Sequence, residues 1–214
     1  MGGLWGSFAN VCIYRIPLDK GVVAGRSYCP KCKKQISWYD NIPILSYLFI
    51  QGKCRKCKKN ISKQYPLVEL LSILSFGLIY FIHGISITTV LFLILALAFI
   101  IIFFIDLKHY IIPNSLTFPL MALGFVKSFD PNLSELFPNY INSLIGGIFG
   151  YGIIWLIIFL YKILRNKEGM GLGDAKLLAA IGFWFGWISI PFVIFSSSIV
   201  ALILVIPSLL NKSR

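Results

Sequence analysis

Apolar residues in this chain run in long unbroken blocks separated by short polar breaks, not in the alternating or 3.6-residue stripes of a soluble fold. The block 91–105 contains no polar side chain at all. A helix needs roughly 20 apolar residues to cross a bilayer. The blocks predict spans at Tyr65–His83, Ile85–Ile105, a shorter one at Leu116–Phe129, then Tyr140–Leu164, Asp174–Trp187 and Ile188–Leu210. Met1 to Ile16 is apolar but short for a span, so the first membrane helix is expected to be partial. Between it and Tyr65 lies a polar, basic segment from Leu18 to about Gln64, in which Trp38–Ile50 is moderately apolar and broken by Pro43. That piece is expected to be interfacial or packed on its own loop, not spanning. The fold class implied is an all-α polytopic membrane protein of about seven membrane helices with one small cytoplasmic loop. The chain is read as having no internal repeat.

Composition agrees. The chain is 57% hydrophobic and 13% charged, against about 25% charged residues in soluble domains, and its mean hydropathy is +0.82. The net charge of +12 raises nucleic acid as a partner, but the placement of the charge argues against it. With the polar loop inside and the spans alternating, Arg15–Lys63 puts 12 of the 20 Lys and Arg residues in the cytoplasm. Lys108, Lys162, Arg165, Lys167, Lys176, Lys212 and Arg214 follow them, and Lys127 alone falls outside, 19 against 1. Basic loops of this kind orient a membrane protein and meet anionic lipid. The expected partner is therefore membrane lipid, with no nucleic acid.

Only eight residues are acidic. Asp19, Asp40, Asp130, Glu135 and Glu168 fall in polar loops and are expected to be solvated. Glu69 lies one turn into a span. Asp106 ends the block 91–105, and Asp174 opens a span after Gly171-Leu172-Gly173. Carboxylates against lipid are costly and are functional candidates by default. In the predicted topology Asp106 and Asp174 both fall at the cytoplasmic end of the bundle, on different helices. Two close carboxylates cannot both ionise easily, so one holds a proton while the other does not, as aspartyl proteolysis requires. Two other readings stay open from topology alone: helix-end residues, with Asp174 as a cap, or the proton relay of a coupled transporter.

Four of the five cysteines form two pairs, Cys29-x-x-Cys32 and Cys54-x-x-Cys57, separated by 21 residues. That spacing predicts a four-thiolate zinc site of ribbon type, closed and structural. Cys12, in an apolar block, reads as a packed small residue. His83 is expected at the outer interface, His109 as a structural or interfacial group, and Trp184 and Trp187 as interfacial anchors or packing residues.

The motifs resemble those of a known family. Gly171-Leu-Gly-Asp-Ala-Lys176 resembles the G-x-G-D-x-K form found in type IV prepilin peptidases, members of the GxGD-type intramembrane aspartyl proteases. Asp106-Leu-Lys-His-Tyr-Ile-Ile-Pro-Asn114 resembles the family's first catalytic segment. Gly6-Ser-Phe-Ala-Asn-Val-Cys-Ile-Tyr-Arg-Ile-Pro17 is similar to its opening motif, and Tyr65-Pro-Leu-Val-Glu-Leu-Leu71 to the start of its second span. The resemblance covers nearly the whole chain. It implies a membrane aspartyl endopeptidase that cuts basic leaders from type IV prepilins or pseudopilins at the cytoplasmic membrane face of a bacterium. Asp106 and Asp174 would be the catalytic pair, with Gly171, Gly173 and Lys176 in support. The implied domains are a partial helix at 1–17, a zinc loop at 18–64 and a peptidase domain at 65–214. Many relatives also methylate the new N-terminus using S-adenosylmethionine, and Gly52 and Lys53 match the family at a position tied to that activity.

Overall fold

The computed structural model describes residues 1–23, 28–29, 31–37, 39, 42–166 and 171–212. Asp40 and Glu168, expected as solvated acids, lie outside the described residues, as do Trp38 and Lys167. The described residues are helical throughout apart from turns and two isolated β-bridges. They form two compact units, Met1–Pro113 and Asn114–Arg214.

The first unit contains α1 (Gly2–Arg15), the short α2 (Leu45–Phe49), α3 (Gln64–His83) and α4 (Ile87–His109). Helices α1 and α3 run antiparallel at close range. A Cβ on Gly2 would lie 2.9 Å from the Ile73 Cα, and one on Gly6 would lie 2.7 Å from the Glu69 Cα. Further along, Asn10 Nδ2 donates to the Tyr65 carbonyl at 3.1 Å. Cys12 is buried here, as expected. Helix α4 starts where Ser86 caps it: its hydroxyl accepts from the Thr89 N–H at 3.1 Å, a standard way to satisfy an orphan donor. His83 ends α3 and stacks on Phe92, ring centres 5.1 Å apart.

The second unit contains α5 (Asn114–Val126), α6 (Tyr140–Arg165), α7 (Leu172–Phe185) and α8 (Ser189–Lys212). Ala175, Leu178, Ala179 and Gly182 are buried on α7, at the spacing of one helix face. Opposite them, α6 offers Gly146 and Gly150. A Cβ on Gly182 would strike the Gly146 backbone, and one on Gly150 would lie 2.7 Å from the Leu178 carbonyl oxygen. The two helices therefore touch backbone to backbone, the close approach that small residues permit in lipid. Trp184 is fully buried and its Nε1 donates to the Leu120 carbonyl at 2.8 Å, so it packs and is not an interfacial anchor. Trp187 is exposed.

Among the described residues three helices are long and apolar enough to cross a membrane: Gln64–His83, Ile87–His109 and Tyr140–Arg165. The remaining expected spans, at Leu116–Phe129, Asp174–Trp187 and Ile188–Leu210, are helices within a few residues of those bounds. Helix α5 ends at Val126 and tightens into a 3₁₀ turn at Lys127–Phe129, and α7 has 14 residues. Helix α8 has 24 residues, and among the described residues Ser189–Ile203 is an apolar stretch of it.

Candidate functional site

The four cysteines are built on two copies of one turn. In the first, Cys29 N–H donates to the Lys34 carbonyl at 2.9 Å and Lys33 N–H to the Cys29 carbonyl at 2.8 Å. In the second, Cys54 N–H donates to Lys59 at 3.0 Å and Lys58 N–H to Cys54 at 2.9 Å. Lys33 and Lys58 both take φ of 54°, and each turn closes with a bridge, Tyr28 to Gln35 and Lys53 to Asn60. The cause is a sequence repeat that the reading above passed over. Residues 29–37 and 54–62 are identical at seven of nine positions, so each makes the same knuckle. Lys31 Nζ ties the first to the second through the Asn60 carbonyl at 3.3 Å.

The four sulfurs lie within 4.8 Å of one another, with Cys29 and Cys57 4.0 Å apart. A tetrahedral zinc ion with Zn–S bonds of about 2.3 Å sets its sulfurs about 3.8 Å apart, so the cluster fits that ion. The backbone N–H groups of Cys57 and Lys56 point at Cys54 and lower its thiol to about 7. At Cys32 the Lys34 N–H also favours the thiolate, but burial and the sulfurs of Cys29, Cys57 and Cys54 outweigh it and push the thiol up to about 11. Four thiols in one place cannot all ionise without a cation among them. The surrounding basic residues crowd each other as well: Lys56, by hydrogen bond and like charge, pulls the Lys34 ammonium below its ordinary value. A metal bound by four thiolates would carry net negative charge and relieve both problems.

Gly52, just before the second knuckle, is buried with φ of +65°. A Cβ there would lie 2.8 Å from the Tyr47 hydroxyl, and its carbonyl accepts from Ile61 N–H at 2.7 Å. This turn accounts for the glycine. Lys53 is exposed and bridges to Asn60. These two residues alone do not make a cradle for S-adenosylmethionine.

The two aspartates sit on different units. Asp106 is exposed in the last turn of α4, where its carbonyl accepts from Tyr110 N–H at 2.8 Å. Lys108 and His109 beside it are exposed too. Asp174 is half-buried in the first turn of α7. The N-cap is Gly171, so Asp174 is three residues inside the helix and is not its cap. That first turn is where the helix dipole favours negative charge. A Cβ on Gly171 would meet only Gly173 N, at 3.9 Å, and Gly173 is half-buried. Lys176 lies two residues past Asp174, about 200° around the helix, and its Nζ donates to Asn114 Oδ1 at 2.7 Å. Sequence reasoning gave Asn114 no role of its own. Its place after Pro113 in the Asp106 motif was the available signal.

Comparison with known proteins gives the family. Residues 93–206 match the profile of the type IV leader peptidase family, and residues 1–83 that of the bacterial peptidase A24 N-terminal domain. The chain belongs to the type IV leader peptidase family. A prepilin leader peptidase/N-methyltransferase of Neisseria gonorrhoeae is 37% identical over 238 residues, covering 100% of this chain and 82% of the relative. One of Vibrio cholerae is 41% identical over 211 residues, covering 92% and 80%. One of Pseudomonas aeruginosa is 36% identical over 227 residues, covering 95% and 77%. No solved structure matches. As a leader peptidase family member the chain is a protease, and the transporter reading finds no support. The family and the three apolar helices make it a bacterial inner-membrane protein.

Proposed function

We infer that this leader peptidase family member cuts the basic leader from type IV prepilins or pseudopilins at the cytoplasmic membrane face, with Asp106 and Asp174 as its catalytic carboxylates. The observation that carries the reading is the match of residues 93–206 to the leader peptidase family, a stretch that holds both aspartates in the two motifs. The chemistry needs one ionised and one protonated carboxyl group. The ionised group takes a proton from water as the oxygen attacks the scissile carbonyl carbon. The protonated group donates to the carbonyl oxygen. The tetrahedral species then collapses, the C–N bond breaks, and a proton reaches the leaving amine. No acyl-enzyme forms.

Gly171 and Gly173 would let substrate backbone come close to the first turn of α7. Lys176, held by Asn114, would fix the junction of α5 with α7 next to that turn. The knuckles would hold zinc through Cys29, Cys32, Cys54 and Cys57, and the ion would supply folding energy to the 18–64 loop. The basic loop repels a basic leader, so charge attraction to the knuckles is not the recognition mechanism; the acidic groups and anionic lipid are better matched to it. The layout of seven membrane segments, with the knuckles and aspartates inside, follows the distribution of Lys and Arg. Methyl transfer, the second activity in the relatives' names, needs a site for S-adenosylmethionine beyond what Gly52 and Lys53 offer.

The test is cleavage of a prepilin-type substrate in membranes by the wild type, Asp106→Asn and Asp174→Asn, with metal content measured in each. Each substitution should slow cleavage about 10³-fold while the metal stays bound. Wild-type rates in either variant would remove that aspartate from the mechanism.

A further inference from the structure

The polar loop of the first unit contains one segment that its neighbours do not explain. Residues 42–50 are uncharged. Within them, Leu45, Leu48 and Phe49 of α2 are exposed, Phe49 at 82%. In water this would be an unstable arrangement for three large apolar side chains on a five-residue helix.

The position of α2 beside α3 resolves it. The N–H of Ile44, which leads into α2, donates to Glu69 Oε2 at 2.8 Å. A Cβ on Gly3 would lie 3.0 Å from Pro43 and 3.4 Å from Ile73 Cδ1. The start of α2 is thus level with residues 69–73 of α3. Helix α3 begins at Gln64 and has 20 residues, so it is about 30 Å long, the thickness of the hydrocarbon core and no more. Glu69 and Ile73 are five and nine residues in, about 8 and 13 Å below the end of the helix. If α3 spans, the segment that touches these residues is below the membrane surface as well.

We propose that residues 42–50 dip into the membrane as a re-entrant wedge, with Leu45, Leu48 and Phe49 in contact with the acyl chains of the leaflet adjoining the cysteine knuckles. Backbone at that depth must find its hydrogen bonds within the protein. The N–H groups of Leu45, Ser46, Leu48 and Ile50 donate to carbonyls within the segment, and at its entry Glu69 takes the Ile44 N–H with one oxygen and the Ser7 hydroxyl with the other, at 2.6 Å. The same two donors account for a carboxylate that is 9% exposed on a membrane helix. Charge returns at Lys53, where the chain leaves for the second knuckle, and basic residues there suit the headgroup layer. This inference rests on α3 spanning and not on the catalytic reading.

The photoreactive residue p-benzoylphenylalanine, placed in turn at Phe49, Leu48, Leu74 and Lys56 of the full chain in membranes, tests it. Leu74 is exposed on α3 and Lys56 is exposed on a knuckle. Retained metal content shows that each variant is folded. After irradiation, mass spectrometry should find acyl-chain adducts at Phe49 and Leu48 as at Leu74, and none at Lys56. Phe49 and Leu48 behaving like Lys56 would overturn the wedge. So would crosslinks chiefly to a second copy of the chain or to a prepilin helix, since the exposed face would then be a protein-docking surface.

Discussion

The two units hold their helices together in different ways. In the first, side chains reach between elements: Glu69 joins Ser7 on α1 to Ile44 before α2, and Asn10 joins α1 to α3. In the second, the chain removes side chains so that backbones meet, at Gly146 against Gly182 and at Gly150 against Leu178. Both answer the same problem, that lipid gives apolar helices no reason to leave it for one another. A joint made by side chains can adjust through rotamers. A joint between backbones cannot, so the second unit should be the less forgiving of the two.

Five experiments would break or sharpen that contrast. The largest effect is expected from metal loss. Serine at Cys54 and Cys57 together should reduce bound metal from one ion to none per chain and unfold the knuckles, because structural zinc is worth roughly 10 kcal/mol or more to small modules. The thermal transition of the second unit should not move, and a shared transition would show the units unfold as one. Next come the two aspartates, one on each unit. Asparagine at either should slow cleavage about 10³-fold, the size expected for a general acid or base. Gly182→Leu follows, with a loss of about 3 kcal/mol or more as the added atoms force α6 from α7. A drop in thermal midpoint at unchanged metal content is the expected signature. Glu69→Gln should cost about 1–3 kcal/mol, since an amide offers one acceptor where two donors wait. An unmoved midpoint would mean these bonds hold nothing. The smallest change is expected from Lys127→Met. The ammonium donates to the Trp184 carbonyl at 3.0 Å and lies 3.7 Å from the centre of the Phe137 ring, but an apolar chain of similar size replaces most of the contact. Stability should shift by about 1 kcal/mol or less.

What could be read from sequence was what depends on neighbours along the chain. The cysteine spacing led directly to four converging sulfurs, because each Cys-x-x-Cys pair makes its own turn. The apolar blocks located α3, α4 and α6 to within a few residues. The span was expected to open at Asp174, and a capping role there was one of the readings left open, because aspartate is a strong capping residue; Gly171 took the position, and the helix began two residues before the charge. The knuckle repeat was passed over because its copies are 25 residues apart and embedded in a lysine-rich stretch. The bond from Glu69 to Ile44 and the burial of Lys127 depend on elements distant in sequence, where no periodicity carries a signal.

The shortness of α7 has a consequence for the water that hydrolysis consumes. At 14 residues the helix is about 21 Å long, roughly 9 Å less than a typical hydrocarbon core. If α7 crosses the bilayer as proposed, the bilayer beside so short a segment thins, and its headgroups and hydration layer follow the helix end inward. Asp174, in the first turn, lies at the end to which that water is drawn. With Asp174 as a catalytic carboxylate, as proposed, a longer α7 would be a better membrane anchor and a drier place for a peptide bond to be cut.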